Sequence, residues 1–237
     1  MEPESDADAA WVGALSGRGV PAAQRSIEEA RAQRRLFRHI VREHRSERRP
    51  GYGEIDAPLE LHALVRLCRP RHVVEVGVAS GVSSAYLLNA LDLNDRGTLH
   101  SVDLPKRPPP GPRGGARVYG SWSLPKGRHP GWAVPDRLKG RWDLRIGDKA
   151  RVLPLLAGEL AQVDLFVYDV PHDDAQARRE FALLDPRLGP HAAVVVDHGP
   201  GGGLCSALRR WATQRGTTTH HRRPTGLYGM RVGRSAP

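Results

Sequence analysis

The chain has 237 residues, two cysteines and a formal net charge of +10. This length fits one domain of ordinary size, with or without an appendage, and it can bury enough surface to fold without disulfides. The two cysteines lack metal-ligand spacing, which argues against structural zinc and favours a reducing compartment. Because the N-terminus is acidic and polar and no apolar run approaches ~18 residues, we expect no secretory signal, no membrane span and a cytoplasmic location.

The positive charge suggests a nucleic-acid partner, but its distribution argues against one. Nearly all of the charge is arginine, which is spread along the whole chain together with abundant Ala, Gly and Pro. No basic stretch is interleaved with the aromatic residues on which bases stack. We therefore expect a small-molecule acceptor and keep nucleic acid as an alternative.

The N-terminal residues are predicted to form an extension of the main domain, residues 1–50. Residues 1–25 are expected to be disordered or loosely packed. Ser26 and Glu29 then form a capping-box pattern, and apolar residues recur at helical spacing. The pattern predicts one basic amphipathic helix that runs to about Arg45. We interpret this helix as packing on the domain or on a second subunit, which would make a homo-oligomer; docking on an acidic polymer is the alternative.

From residue 56 the predicted elements alternate. Helices are predicted at 57–68, 80–90, 149–156, 174–184 and 203–214. Strands are predicted at 72–76, 98–103, 142–146, 163–169, 191–197, 217–222 and 226–232. Alternation of this kind predicts right-handed β-α-β units and hence a doubly wound, Rossmann-like α/β sheet with helices on both faces. We expect about seven strands, mostly parallel, with an antiparallel pair at one edge.

The main domain, residues 51–237, is interrupted by a segment rich in Pro, Gly and Arg at 105–141. Loops of this length in a compact domain are usually functional or disordered. Its aromatic and imidazole side chains, Trp122, His129 and Trp132, would suit a lid over a sugar or aromatic acceptor. A surface loop that the tryptophans merely anchor explains the same residues equally well.

The stretch VVEVGVASG, residues 73–81, places two glycines between a buried strand and a helix. Glycines in this position usually let the backbone approach a ligand closely. The next strand ends at Asp103, where a carboxylate can accept both hydroxyl groups of a ribose. In a doubly wound sheet, the ligand crevice lies beyond the carboxyl ends of the strands. The two observations together predict a nucleoside-containing ligand.

These motifs resemble those of the class I S-adenosylmethionine-dependent methyltransferases. VVEVGVASG resembles their first motif, HSVDL at 100–104 their second, and Gly147-Asp148 in LRIGDKARVLPLL their adenine-flanking motif. The resemblance covers residues 56–232 and implies S-adenosylmethionine as the cofactor. The cofactor-binding residues it implies are Glu75, Gly77, Ala79, Gly81, Ser83, Asp103, Asp148 and Asp169.

Two further strands end in an acid that a histidine follows: Asp169 with His172, and Asp197 with His198. Adjacent carboxylates repel unless a cation or a proton lies between them, and mixed carboxylate, imidazole and water ligation suits Mg²⁺ or Mn²⁺. The pattern is similar to metal-dependent O-methyltransferases of the catechol and macrocin types. That resemblance implies Asp169 and Asp197 as metal ligands. It also implies Asp169 and His172 as the catalytic residues, with His172 as the general base. His198 would be the third ligand, where the family usually has Asp or Asn.

The sequence thus predicts a metal-assisted O-methyltransferase that acts on a hydroxyl group of a small molecule or glycoside, in natural-product or polysaccharide assembly. Three alternatives stay open. His172 could instead cap the helix at 174–184. The enzyme could be an RNA methyltransferase that uses the basic surface, or the protein could bind the cofactor without catalysis. His191, His220 and His221 are interpreted as surface residues.

Overall fold

The computed structural model describes residues 3–47, 58–104, 124, 127–170, 174–197, 206–222 and 226–233. Its strands are β1 His72–Val76, β2 Thr98–Asp103, β3 Trp142–Ile146, β4 Val163–Tyr168, β5 Leu188–Asp197, β6 Thr219–Arg222 and β7 Leu227–Arg231. Its α-helices are α1 Pro3–Ser16, α2 Val20–Ala32, α3 Arg34–Glu47, α4 Leu59–Cys68, α5 Val82–Leu93, α6 Lys149–Glu159, α7 Asp174–Leu184 and α8 Ser206–Gln214.

The seven strands form one sheet in the order β3-β2-β1-β4-β5-β7-β6. Strands β1 to β5 are parallel, and β7 lies antiparallel between β5 and β6. This confirms the predicted doubly wound sheet with an antiparallel pair at one edge. The chain leaves β1 in one direction and returns to β4 on its other side, so the strand order reverses between β1 and β4. Ligands of open α/β sheets bind at this reversal point, beyond the carboxyl ends of the strands.

Alternate residues of the central strands bury their side chains on opposite faces of the sheet. Val73 belongs to the hydrophobic core beneath α4 and α5, whereas Val74 belongs to the core beneath α6, α7 and α8. Such two-sided burial explains the continuous apolar runs of these strands. No helix in the described part of the chain combines the length and apolar character needed to cross a bilayer.

The prediction that residues 1–25 are disordered or loosely packed is wrong for residues 3–25, because α1 and the first part of α2 lie there. Trp11 and Leu15 of α1 are buried, and Leu15 packs against Gly229 of β7. The Trp11 indole N–H also donates to the backbone carbonyl of His220, at 3.2 Å. The N-terminal region holds three helices instead of the predicted one, and it covers the edge pair β6 and β7.

The N-terminal helices pack on the domain, as one of the two interpretations predicted. Arg222 at the end of β6 pairs with Asp8 of α1 at 2.8 Å and with Glu60 of α4 at 2.6 Å. Phe37 of α3 stacks on Tyr86 of α5, with ring centroids 3.7 Å apart. The predicted domain boundary at residue 50 falls within 48–57, outside the described residues.

Candidate cofactor and catalytic site

The glycine loop, residues 77–81, connects β1 to α5 at the carboxyl edge of the sheet. Gly77 and Gly81 both have a left-handed backbone, with φ of +95° and +91°. A Cβ atom on Gly77 would lie 1.9 Å from the backbone oxygen of Asp169. Position 77 therefore accepts only glycine, both because of its dihedral angle and because the end of β4 lies against it.

Asp103 at the end of β2 organises this loop. One oxygen of its carboxylate accepts the backbone N–H groups of Val78, at 3.1 Å, and Ala79, at 2.8 Å. The other oxygen accepts the N–H of Leu104, at 2.6 Å. Backbone donors to a carboxylate are charge-assisted hydrogen bonds, among the stronger ones in proteins. Asp103 thus fixes the loop itself, in addition to the ribose contact predicted for it.

Glu75 lies beneath the loop, with no exposed surface. Its carboxylate accepts hydroxyl groups from Ser83 and Ser84 of α5 and from Ser101 of β2, each at 2.7 Å. Burial raises the pKa of Glu75 to about 7, although the three hydroxyl donors oppose that rise. The side chains of Glu75 and Ser83 therefore support the loop from below, which differs from the direct cofactor contact predicted for them.

Residues 127–135, which we call the wall segment, pack against the glycine loop from the other side. The N–H of Gly131 donates to the carbonyl of Ala79 and that of Ala133 to the carbonyl of Ser80, both at 2.9 Å. The wall segment is the end of the Pro- and Gly-rich stretch that sequence analysis treated as a lid or a surface loop. The contacts make this part of it a fixed component of the loop's surroundings.

The side chains predicted to form a lid behave differently from one another. Trp132 is packed partly against the core, and the guanidinium of Arg128 lies 4.6 Å from its ring centroid. Trp132 thus anchors the wall segment, as the surface-loop interpretation predicted. His129 is exposed, and Trp122 lies outside the described residues.

Asp148, predicted to flank the adenine, lies at the end of β3 beside Asp103. Its side chain is exposed and caps α6 by accepting the N–H of Ala150, at 2.9 Å. The N–H of Gly147 donates to the backbone carbonyl of Asp103 at 2.8 Å, which ties the two strand ends together. The structure thus brings the glycine loop, Asp103 and Asp148 to one edge.

Asp169 and Asp197 occupy adjacent strand ends on the other side of the reversal point. Tyr168 pairs with Val196, so the two acids follow at neighbouring positions, and both are partly buried. No third His, Cys, Asp or Glu among the described residues completes a metal-binding cluster with them. His172 and His198 fall within 171–173 and 198–205, outside the described residues, so the metal site and the base stay predictions.

A family model described as "Methyltransferase domain" matches residues 74–198, more than half of the chain. This match spans the glycine loop, Asp103, Asp148 and both strand-end acids. The chain belongs to this methyltransferase family. With its strand order, the protein is a class I S-adenosylmethionine-dependent methyltransferase.

Solved structures share the fold of this methyltransferase at low sequence identity. The O-methyltransferase TomG from Streptomyces achromogenes, involved in tomaymycin synthesis and solved with S-adenosylmethionine, is 18% identical, with a TM-score of 0.56 over 84% of this chain and 90% of that one. An O-methyltransferase from Bacillus cereus with S-adenosylhomocysteine is 13% identical, with a TM-score of 0.55 over 84% and 90%. A methyltransferase from Geobacter sulfurreducens is 16% identical, with a TM-score of 0.53 over 84% and 89%. No curated protein has a matching sequence.

Sequence reasoning missed the residues that build the underside of the methyltransferase's cofactor site. Ser84, Ser101 and Trp142 each belong to the hydrogen-bond network around Glu75. The available signal was Ser101 in the middle of a strand within the predicted sheet, because a buried hydroxyl needs a partner. Of the three histidines interpreted as surface residues, His191 and His221 are exposed, whereas His220 is half-buried.

Proposed function

We propose that this methyltransferase transfers the methyl group of S-adenosylmethionine to a hydroxyl group of a small molecule or glycoside. The observation that carries the proposal is the juxtaposition of Asp169 and Asp197 at strand ends that adjoin the glycine loop. Two relatives in fold, TomG and the Bacillus cereus protein, are described as O-methyltransferases. TomG is involved in tomaymycin synthesis, which supports a natural product as the acceptor.

The chain's donor-binding residues would be the glycine loop, Asp103 and Asp148. Their fit to a nucleoside rests on the glycine loop, which lies at the carboxyl edge of the sheet, and on the carboxylate at the end of β2 that holds it there. S-adenosylmethionine, when bound, supplies a methyl group on a sulfonium that leaves as a neutral thioether. The enzyme therefore has mainly to hold the donor in line with the acceptor and to remove the proton of the acceptor hydroxyl.

Asp169, Asp197 and His198 are the residues that would hold a divalent cation, Mg²⁺ or Mn²⁺. The fit rests on the donor set: two carboxylates at neighbouring positions, which repel each other unless a positive charge lies between them. A cation bound there would lower the pKa of the acceptor hydroxyl group. His198 in place of an oxygen ligand would favour Mn²⁺ over Mg²⁺.

His172 is proposed as the general base, since it follows Asp169 by three positions in the chain. The O–H proton of the acceptor passes to its imidazole as the oxygen forms a bond to the methyl carbon. Bound S-adenosylmethionine would supply that methyl group, and the electron pair of its carbon–sulfur bond would stay on sulfur. A positioned base of this kind typically contributes about 10²- to 10⁴-fold in rate.

The experiment that tests this proposal is methyl transfer from radiolabelled S-adenosylmethionine to a panel of phenols, catechols and glycosides, with and without a chelator. We expect transfer to at least one hydroxyl acceptor, lost in chelator and restored by Mg²⁺ or Mn²⁺. Full activity in chelator would remove the metal and leave His172 as a metal-free base. Cofactor binding without transfer to any acceptor would support a non-catalytic protein.

One observation favours the RNA methyltransferase alternative. Exposed arginines follow one another on α2 and α3, namely Arg31, Arg34, Arg35 and Arg38. Within the described residues, no ion pair joins any of these four to an acid. Contacts between such arginines and the phosphates of RNA would make RNA binding depend steeply on salt. Labelled RNA that binds with a steep salt dependence and accepts methyl groups would support this alternative.

A further inference from the structure

A line of hydrogen bonds runs beneath the glycine loop from one edge of the cofactor site to the other. The indole N–H of Trp142 in β3 donates to the hydroxyl of Ser101 in β2, at 2.8 Å. That hydroxyl donates to the carboxylate of Glu75 in β1, at 2.7 Å. Each group is therefore a donor to the next, and the direction of the line is fixed by the indole, which can only donate.

The ring of Trp142 also contacts the wall segment. A Cβ atom on Gly131 would lie 2.1 Å from Cη2 of the ring, so the backbone of the wall segment lies directly against the outer edge of the indole. Gly131 in turn donates its N–H to the carbonyl of Ala79 in the glycine loop, at 2.9 Å. A Cβ atom on Gly81 would lie 2.8 Å from the Cα of Gly131. The indole thus contacts the wall segment, and the wall segment contacts the glycine loop.

We propose that Trp142 and Ser101 are positioning residues of the cofactor site. The hydrogen bond from Trp142 to Ser101 fixes the position of the indole over β2. The indole in turn holds the wall segment against the glycine loop. The loop is thereby held in its binding geometry from above through Gly131 and from below through Glu75. This inference rests on the proposed binding of S-adenosylmethionine at the loop.

The hydrogen-bond line ends at the margin of the hydrophobic core, so its effect on cofactor binding can be measured separately from an effect on core packing. Trp142 is partly buried at the margin of the hydrophobic core. Trp142→Phe therefore removes the indole N–H and the ring atoms that contact Gly131, and it leaves the buried side chains of the core unchanged. The same change at Trp211 serves as a control. Trp211 donates its indole N–H to the carboxylate of Asp185, and it packs on the opposite face of the sheet.

The first test compares Trp142→Phe with Trp211→Phe, with the dissociation constant for S-adenosylmethionine measured by calorimetry and stability by thermal unfolding. We expect Trp142→Phe to raise the dissociation constant roughly 3- to 10-fold, because it removes both the hydrogen bond to Ser101 and the ring contact with Gly131. Trp211→Phe should lower the unfolding temperature as much or more and leave the dissociation constant within about twofold. Equal dissociation constants in the two variants would overturn the proposal.

The second test compares Ser101→Ala with Ser84→Ala, because each removes one hydroxyl donor from the same oxygen of Glu75. Only Ser101 also accepts from Trp142, so Ser101→Ala should weaken cofactor binding more than Ser84→Ala. The double variant with Trp142→Phe should be clearly less than additive, since both changes break one line. Equal losses in the two serine variants, with full additivity, would count against it.

The two proposals fail in different ways. If folded wild-type protein does not bind S-adenosylmethionine, the proposed function and this inference both fail. If the wild type binds it but Trp142→Phe and Ser101→Ala behave like their controls, only the positioning role fails.

Discussion

The two halves of the sheet's carboxyl edge are built differently. The donor half, formed by the ends of β1, β2 and β3, is held together by many hydrogen bonds. Asp103 accepts from the backbone of the glycine loop, and Glu75 accepts from serines of α5 and β2. The acceptor half consists of Asp169 and Asp197 at two adjacent strand ends, each followed by a connecting segment. The donor is common to all enzymes of this kind, whereas acceptors differ. A loop held in place by hydrogen bonds suits a donor that stays the same, and two carboxylates at adjacent strand ends suit an acceptor that varies.

The largest loss of activity is expected from substitutions in the acceptor half. Asp169→Asn and Asp197→Asn should each lower turnover by ~10²-fold or more and abolish rescue by Mg²⁺ or Mn²⁺ after chelation. Both should still bind S-adenosylmethionine, since the donor half stays intact. The double variant should lose little more than either single variant, because each change empties the same site. Steady-state rates with a verified acceptor and calorimetry check this; metal rescue that persists in either variant would exclude a shared site.

The second largest effect is expected at His172. His172→Ala should lower turnover by ~10²-fold or more, because a positioned base is lost, while cofactor affinity changes little. The pH profile of turnover should lose the limb that the imidazole contributes. If the variant keeps most of its activity, His172 is a cap of α7 and takes no part in proton removal.

Asp103 sharpens the comparison from the donor half. Asp103→Ala should raise the dissociation constant for S-adenosylmethionine by roughly 10- to 100-fold, because the ribose loses its acceptor and Val78 and Ala79 lose theirs. Turnover at saturating cofactor should fall less than in the acceptor-half variants. The exposed Asp136, which pairs with Lys139, provides a control in Asp136→Asn. Unchanged affinity in a folded Asp103→Ala protein would remove this acid from the donor site.

The smallest expected effect is a pH dependence of stability that arises from Glu75. Burial raises the pKa of this carboxyl from 4.5 to about 7 in the folded protein, so the folded state binds the proton more tightly than the unfolded state. Its contribution to stability is therefore full below about pH 4.5 and is lost as the pH rises through about 7. Burial raises the pKa of Glu60 to about 7 as well, so the wild type carries both contributions.

The test compares the free energy of unfolding of wild type and Glu75→Gln across pH 4.5 to 7. Glutamine does not titrate, so the variant's stability should fall less steeply with rising pH than that of the wild type. Parallel curves for the two proteins would show that Glu75 keeps an ordinary pKa when folded.

The sequence predicted the donor half well at the level of the backbone and less well at the level of side chains. β1, β2 and β3 were predicted to the residue, since the apolar residues of β1 and the alternation of apolar and polar residues in β3 both favour strands. The placement of Asp103 at a strand end followed from the same pattern. Its bonds to Val78 and Ala79 could not be predicted, since they depend on how the loop folds back over β2.

The N-terminal helices were beyond local reasoning for a similar physical cause. α1 has little amphipathic pattern of its own, and Leu15 is buried only because Gly229, more than two hundred positions later, leaves room for it. The pairing of Trp142 with Ser101 likewise depends on the register between β2 and β3. Contacts distant in sequence decide such features, and a single sequence does not reveal them.

The most direct test of the donor and acceptor division is calorimetric titration of the folded protein with S-adenosylmethionine in the presence of a chelator. The account predicts one-to-one binding in wild type, the same affinity in Asp197→Asn, and a loss of tenfold or more in Asp103→Ala. Absence of binding to the folded wild type, or affinity that collapses in Asp197→Asn and survives in Asp103→Ala, would contradict it.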